Sequence, residues 1–294
     1  PPAWAYAMTT PGLEPLPDDG TLRHVPGSSA TFTLTQVRDR YFSPDWHPGD
    51  HPPMPDLVAR GKKPDVPACG FCHRAEGTGG PENSNLAGLP AAYIVQQVAE
   101  FKSGARKTSV AKRNIDQKLS MFDAATDAEI AAAAAYFSAL KPKSIIRVVE
   151  TDIVPTTYVT SNHLAAVNTG EKEPIGQRII EVPEDLEQFV SKDSRSRFIA
   201  YVPVGSIQKG RELSATGGGG KTLQCGACHG PDLKGLGLVP GIAGRSPSYM
   251  VRQLYDFKLG VRSGADSAQM KISVEKLTVE DMIALAAYAA SLAP

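Results

Sequence analysis

The chain has 294 residues, with 31 basic against 31 acidic side chains and 41% apolar residues. Such a length suits about two domains, and the apolar share excludes a disordered chain. Zero net charge argues against nucleic acid or an anionic membrane as the main partner. No apolar run approaches the roughly 20 residues of a membrane helix, the longest alanine-rich one being 130–137.

In chain order, residues 1–53 form an irregular, proline-rich extension with turn signals and one expected strand over 30–37. Its start, Pro1-Pro2-Ala3-Trp4, shows neither an initiator Met nor the apolar core of a signal peptide. A short helix over 56–61 leads to Cys69-Gly70-Phe71-Cys72-His73. A longer helix follows, with Pro90 in its first turn and Gly104 as its stop. A last helix opens on the capping-box spacing Thr126-x-x-Glu129 and runs apolar to Leu140. Residues 144–205 connect this unit to a second one. They contain two β-leaning runs, 145–149 and 198–202, around a polar, acidic tract over 171–193, and the connector is expected to pack as a small hairpin.

From 206 onward the first unit returns. A helix over 207–213 precedes Cys225-Gly226-Ala227-Cys228-His229. At the same offset of 156 positions Gly88 meets Gly244, Tyr93 meets Tyr249, Gln97 meets Gln253, Gly104 meets Gly260 and Arg106 meets Arg262. Past the arginine the offset falls to 152, pairing Thr126 with Thr278 and Ala135-Tyr136 with Ala287-Tyr288. Duplication on this scale makes each copy one structural unit.

The two pentapeptides use all four cysteines, and each runs straight into a histidine. C-x-x-C-H is the attachment signature of c-type haem. Two thiols one helical turn apart reach the two haem vinyl groups, and the adjacent imidazole reaches the iron. A Cys₄ zinc site would not need histidine after both pairs, and a thioredoxin-like pair would want a βαβ context. Two covalently bound haem c groups are therefore expected, on Cys69, Cys72, Cys225 and Cys228, with His73 and His229 on the irons.

The repeat resembles the class I cytochromes c, specifically the two-domain dihaem cytochromes c of bacteria, over about 180 of the residues. The resemblance implies a mainly α fold of two tandem cytochrome c domains, 54–143 and 206–294, beside the extension and a long, partly β connector. It also implies methionine as the distal ligand and Arg106 and Arg262 near haem propionates. Met270 is the methionine expected in the loop before the last helix of the second unit. Met250 and Met282 fall in helices and belong to the core. In the first unit Met121 lies five residues before Thr126, whereas Met270 lies eight before Thr278; Lys118 occupies the matching place. Met121, Lys118 or no protein ligand fit there, and Met121 is preferred because a thioether ligates without deprotonation. His24, His47, His51 and His163 are expected in loops or at the surface.

By region the net charge is 0 over 1–143, −3 over 144–205 and +3 over 206–294. The basic group Arg106, Lys107, Lys112 and Arg113, with Lys62 and Lys63, reads as a solvated face. Haem attachment of this kind takes place outside the bacterial cytoplasm, so the resemblance implies an exported, periplasmic protein whose signal peptide has been removed. With both irons six-coordinate the protein would transfer single electrons, with redox proteins (a dehydrogenase, an oxidase or another cytochrome) as partners. The alternative is a dihaem peroxidase or sulfur-compound oxidoreductase with an unusual distal site at the first haem.

Overall fold

The computed structural model describes residues 1–8, 17–110, 122–160 and 162–294. The first repeat holds α2 (Asp56–Ala59), α3 (Cys69–His73), α4 (Ala91–Lys102) and α5 (Asp127–Ala139), preceded by α1 (Leu34–Arg38) in the extension. The second holds α7 (Ser206–Thr216), α8 (Gly226–His229), α9 (Pro247–Lys258), α10 (Ser267–Val274) and α11 (Val279–Ser291). Both last helices start on complete capping boxes, Thr126 with Glu129 and Thr278 with Asp281, which satisfy the first backbone N–H groups from side chains. In each repeat the middle helix (α4, α9) packs on the last (α5, α11), and so does the short leading helix (α2, α7).

The α7–α11 crossing shows why glycine stands at one contact. A Cβ on Gly210 would lie 2.0 Å from the Ala284 carbonyl oxygen, so only glycine permits this approach. Each repeat then closes a core of its own. Leu57, Val58, Ile94, Ala134 and Phe137 are buried in the first, and Leu213, Val251, Leu277, Met282 and Ile283 in the second.

The segment between the repeats contains β1 (Ile146–Glu150), β2 (Ile153–Pro155), β3 (Thr157–Thr160), β4 (His163–Ala166), β5 (Lys172–Pro174), β6 (Ile180–Pro183), α6 (Leu186–Val190) and β7 (Phe198–Val202). It is larger than a hairpin: β1-β7-β6 form a three-stranded sheet, with β1 parallel and β6 antiparallel to β7. Two further two-stranded ladders pair β2 with β5 and β3 with β4. The sheet packs on α11, so the connector is a structural layer rather than a tether.

The strand expected over 30–37 is helix in its second half. Thr33 and Gln36 form a capping box that starts α1, and only the Arg23–Phe32 bridge remains extended. The extension is held to the connector: Trp46 Nε1 donates to the Ser191 carbonyl at 2.7 Å, and Arg195 grips Asp50 with two hydrogen bonds of 2.8 and 2.9 Å. Among the described residues, no helix is long and apolar enough to cross a membrane.

Candidate haem sites and the seam between them

Each C-x-x-C-H pentapeptide sits on or at the start of a short helix, so its two cysteines, three apart, share one face. The histidines are held alike. His73 Nδ1 donates to the Ser84 carbonyl at 2.7 Å and His229 Nδ1 to the Pro240 carbonyl at 2.8 Å, each acceptor eleven residues downstream. With the proton on Nδ1, Nε2 carries the lone pair that a metal takes. Burial also lowers the His229 pKa, which favours the neutral imidazole that ligation needs.

The loops that supply these carbonyls match bond for bond. Gly79 N–H and Gly235 N–H return to the His73 and His229 carbonyls, at 2.9 and 2.8 Å. Gly88 and Gly244, both at positive φ, donate to Phe137 and Ala289 on the last helices, which locks each loop to its own α5 or α11. Tight contact explains the glycines, because a Cβ on Gly88 would meet the Pro142 ring at 2.6 Å.

Met270 lies on α10, not in the irregular loop expected of it, and is partly buried against the second core. Met282 is fully buried and Met250 packs on the core, as expected of helix methionines. Met121 and Lys118 lie outside the described residues, as do Lys112 and Arg113. His51 Nε2 is hydrogen-bonded to Asp45 at 3.1 Å, and the buried His47 has Nε2 3.1 Å from the Asp193 carboxylate without a hydrogen bond to it. The Asp45 hydrogen bond raises the His51 pKa.

Arg106 and Arg262 come together at the seam between the repeats, where they form an antiparallel bridge. Arg106 donates to Gln97 of its own repeat at 2.7 Å, but also to Tyr249 and Gln253 of the other at 2.9 and 3.1 Å. Arg262 mirrors it, donating to Gln253 at 3.0 Å and across the seam to Tyr93 and Gln97 at 2.9 and 2.8 Å. Main-chain bonds flank the pair, Lys107 N–H to the Val261 carbonyl and Ser263 N–H to the Ala105 carbonyl. Three of the recurring residue pairs (Tyr93/Tyr249, Gln97/Gln253 and Arg106/Arg262) thus exchange partners about a pseudo-twofold axis.

This seam is rich in positive charge. Arg252 and Arg245 join it, and their acceptors are backbone carbonyls: Ala5 and Pro81 for Arg252, Gly241, Asn85 and Ala87 for Arg245. The acceptors of Arg106 and Arg262 are likewise uncharged. Burial takes the Arg245 pKa down to about 10. For Arg262 burial lowers it first and the neighbouring Arg106 adds to that. Tyr249 responds in the opposite sense: burial alone would raise its pKa, but Arg106 and Arg262, with a Ser84 hydrogen bond and Arg252, pull it down to about 8. Buried or half-buried cations whose hydrogen-bond acceptors are all uncharged are costly, so a site of this kind suits carboxylates. Each haem c carries two propionates, and the donor set fits them.

The chain matches the cytochrome c family model over residues 58–141. It is 35% identical over 78 residues to cytochrome c-554(548) of Halomonas halodenitrificans, covering 94% of that protein and 26% of this chain. A longer match, 26% identical over 231 residues, is to the thiosulfate dehydrogenase electron acceptor of Thiomonas intermedia, covering 78% of this chain and 80% of that one. Among solved structures, the thiosulfate dehydrogenase TsdBA of Marichromatium purpuratum superposes with a TM-score of 0.51 at 27% identity over 80% of this chain. This chain spans only 38% of that one.

The chain belongs to the cytochrome c family. Its fold is two cytochrome c domains in tandem, and its cofactors are two covalently bound haem c groups, one for each C-x-x-C-H motif. It is an electron-transfer protein rather than an enzyme.

Proposed function

We propose that the protein carries single electrons between a dehydrogenase and a downstream carrier or terminal oxidase, outside the bacterial cytoplasm. The observation that carries this reading is the seam: two equivalent haem-attachment units meet directly, through a shared, buried group of arginines. When bound, the haems supply reversible one-electron chemistry at iron.

The chain's own residues then have distinct tasks. Cys69, Cys72, Cys225 and Cys228 tether the groups, while His73 and His229 present oriented, neutral imidazoles. Met270, and Met121 in the first domain, would supply thioether ligands to the irons, which would raise the reduction potential and disfavour peroxide chemistry. Arg106 and Arg262 would hold the propionates. The apolar helices α4, α5, α9 and α11 keep water out, which limits reorganisation when the charge changes. By likeness to the Thiomonas protein, the donor class is a dehydrogenase of inorganic sulfur compounds.

An anaerobic reductive titration of the holoprotein tests the reading. Uptake of two electrons per chain, with spectra unchanged by hydrogen peroxide, is the expected result. Uptake of only one electron would overturn the two-haem carrier, and a haem that reacts with peroxide would overturn the carrier reading in favour of a dihaem peroxidase.

A further inference from the structure

The two haem-attachment helices are equivalent in sequence, but the chain treats their outer faces differently. In the first domain that face is covered by the protein itself. Gly70 is pressed against Ser43 of the extension, where a Cβ would come within 2.3 Å of the serine Oγ. The Lys192 ammonium stands 3.9 Å over the Phe71 ring, and the Arg74 guanidinium 5.0 Å over Phe189 of the connector. Gly80 is buried beneath the same Phe189, with its ring 3.1 Å from where a Cβ would stand, and Glu82 pairs with Arg74 at 3.7 Å.

In the second domain the corresponding face is bare. Ala227 is exposed, where Phe71 is partly covered. The positions that match Gly80 and Glu82 are Leu236 and Leu238, which are 59% and 69% exposed. Leu223, five residues ahead of Cys228, is 45% exposed. Isolated leucines at a surface need no explanation, but here apolar side chains stand where the sister domain has a small and a charged residue under a protein lid. Around them, Lys234 stands beside Asp232, the Lys276 ammonium reaches the Gly220 carbonyl at 3.2 Å, Lys221 is engaged by Asp281 at 3.0 Å, and the domain over 206–294 carries a net +3. The domain that presents this face is therefore net positive.

We propose that this open face of the second domain is the docking site of a redox protein whose own cofactor edge lies in an apolar surface rimmed by carboxylates. The inference rests on the electron-carrier reading and deepens it by assigning the port to one domain. The first domain's face is already occupied by Ser43, Phe189 and Lys192, so a partner approaching that side meets this chain's own lid. Leu223, Leu236 and Leu238 supply the apolar centre beside Cys228, whose thioether would hold the second haem, and the net positive charge of the domain steers the approach. Docking of this sort is weak and small in area, as electron-transfer encounters are.

The test compares two donors in flash-photolysis kinetics on the oxidised holoprotein. One is the hydroquinone of a flavodoxin, an acidic protein with an exposed flavin edge; the other is free lumiflavin semiquinone, which needs no docking. Leu236→Glu combined with Leu238→Glu should slow reduction by flavodoxin about tenfold at low ionic strength and leave the lumiflavin rate unchanged. Ile153→Glu combined with Tyr158→Glu, a charge-matched control on the exposed β2 and β3 of the connector, should leave both rates unchanged. A flavodoxin rate equal to the wild type in the double variant overturns the docking site, as does an equal slowing with both donors. Failure of the wild-type protein to be reduced by lumiflavin would instead overturn the electron-carrier reading beneath it.

Discussion

The exchange of partners at the seam predicts an energetic coupling between residues far apart in sequence. Tyr93 and Arg262 are 169 positions apart, yet the guanidinium donates to the tyrosine hydroxyl at 2.9 Å. Arg262→Met removes three hydrogen bonds, to Tyr93, Gln97 and Gln253, and leaves their oxygens short of a donor. At about 1 kcal/mol per bond the expected loss is about 3 kcal/mol. Tyr93→Phe removes one of the three. A double-mutant cycle on holoprotein stability, followed by guanidinium unfolding, should therefore give a coupling of about 1 kcal/mol for Tyr93 with Arg262. Tyr249 with Arg106 should give a similar value from its own 2.9 Å bond. The same-repeat pair Tyr93 with Arg106 shares no hydrogen bond and should give a coupling several-fold smaller. Coupling within a repeat but none across it would refute the exchanged arrangement.

Other outcomes follow from single groups. Burial would raise the Asp281 pKa, but the Thr278 N–H and the ammonium groups of Lys221 and Lys209 outweigh it and hold the carboxyl well below its usual range. Its contribution is thus present above the unfolded pKa and lost as pH falls; Asp281→Asn should cost about 2 kcal/mol at pH 7, with the gap closing below about pH 4. Glu181 has the opposite sign. Burial raises its pKa despite hydrogen bonds from Ser246 and Ser248, so its contribution weakens as pH rises above the unfolded value. Thermal unfolding of Glu181→Gln against pH should show that decline flattened. Met270→Ala should convert the second haem to high spin and lower its potential in a spectroelectrochemical titration, and an unchanged spectrum would remove Met270 as ligand. Replacing both Cys225 and Cys228 by serine should reduce the covalent haem count from two to one by mass spectrometry.

Much of this was legible in the sequence because it is written in local rules. The C-x-x-C-H pairs, the capping boxes at Thr126 and Thr278 and the offset of the repeat all act over a few residues or by direct recurrence. The seam was half legible. Recurrence singled out Tyr93, Gln97, Arg106 and their counterparts, but it cannot say whether a residue bonds within its own copy or across to the other. Local rules also misled where two of them competed. Residues 30–37 alternate like a strand, yet Thr33 and Gln36 cap a helix over the same stretch. Met270 sits in a stretch with no strong helical periodicity, and the eight-residue α10 takes its stability from packing on the second core. The connector's sheet rests on the parallel pairing of β1 with β7, about fifty residues apart, which no short-range pattern announces. Glu181 carried no signal either, since its role comes from Ser246 and Ser248 at the start of α9, some sixty residues on.

The central claim, that both irons are six-coordinate electron-transfer centres, is tested most directly by near-infrared magnetic circular dichroism of the fully oxidised protein. The account predicts two low-spin ferric haems, each with the histidine–methionine charge-transfer band, and no high-spin signal. A high-spin haem, or a histidine–lysine band from the first domain, would contradict it.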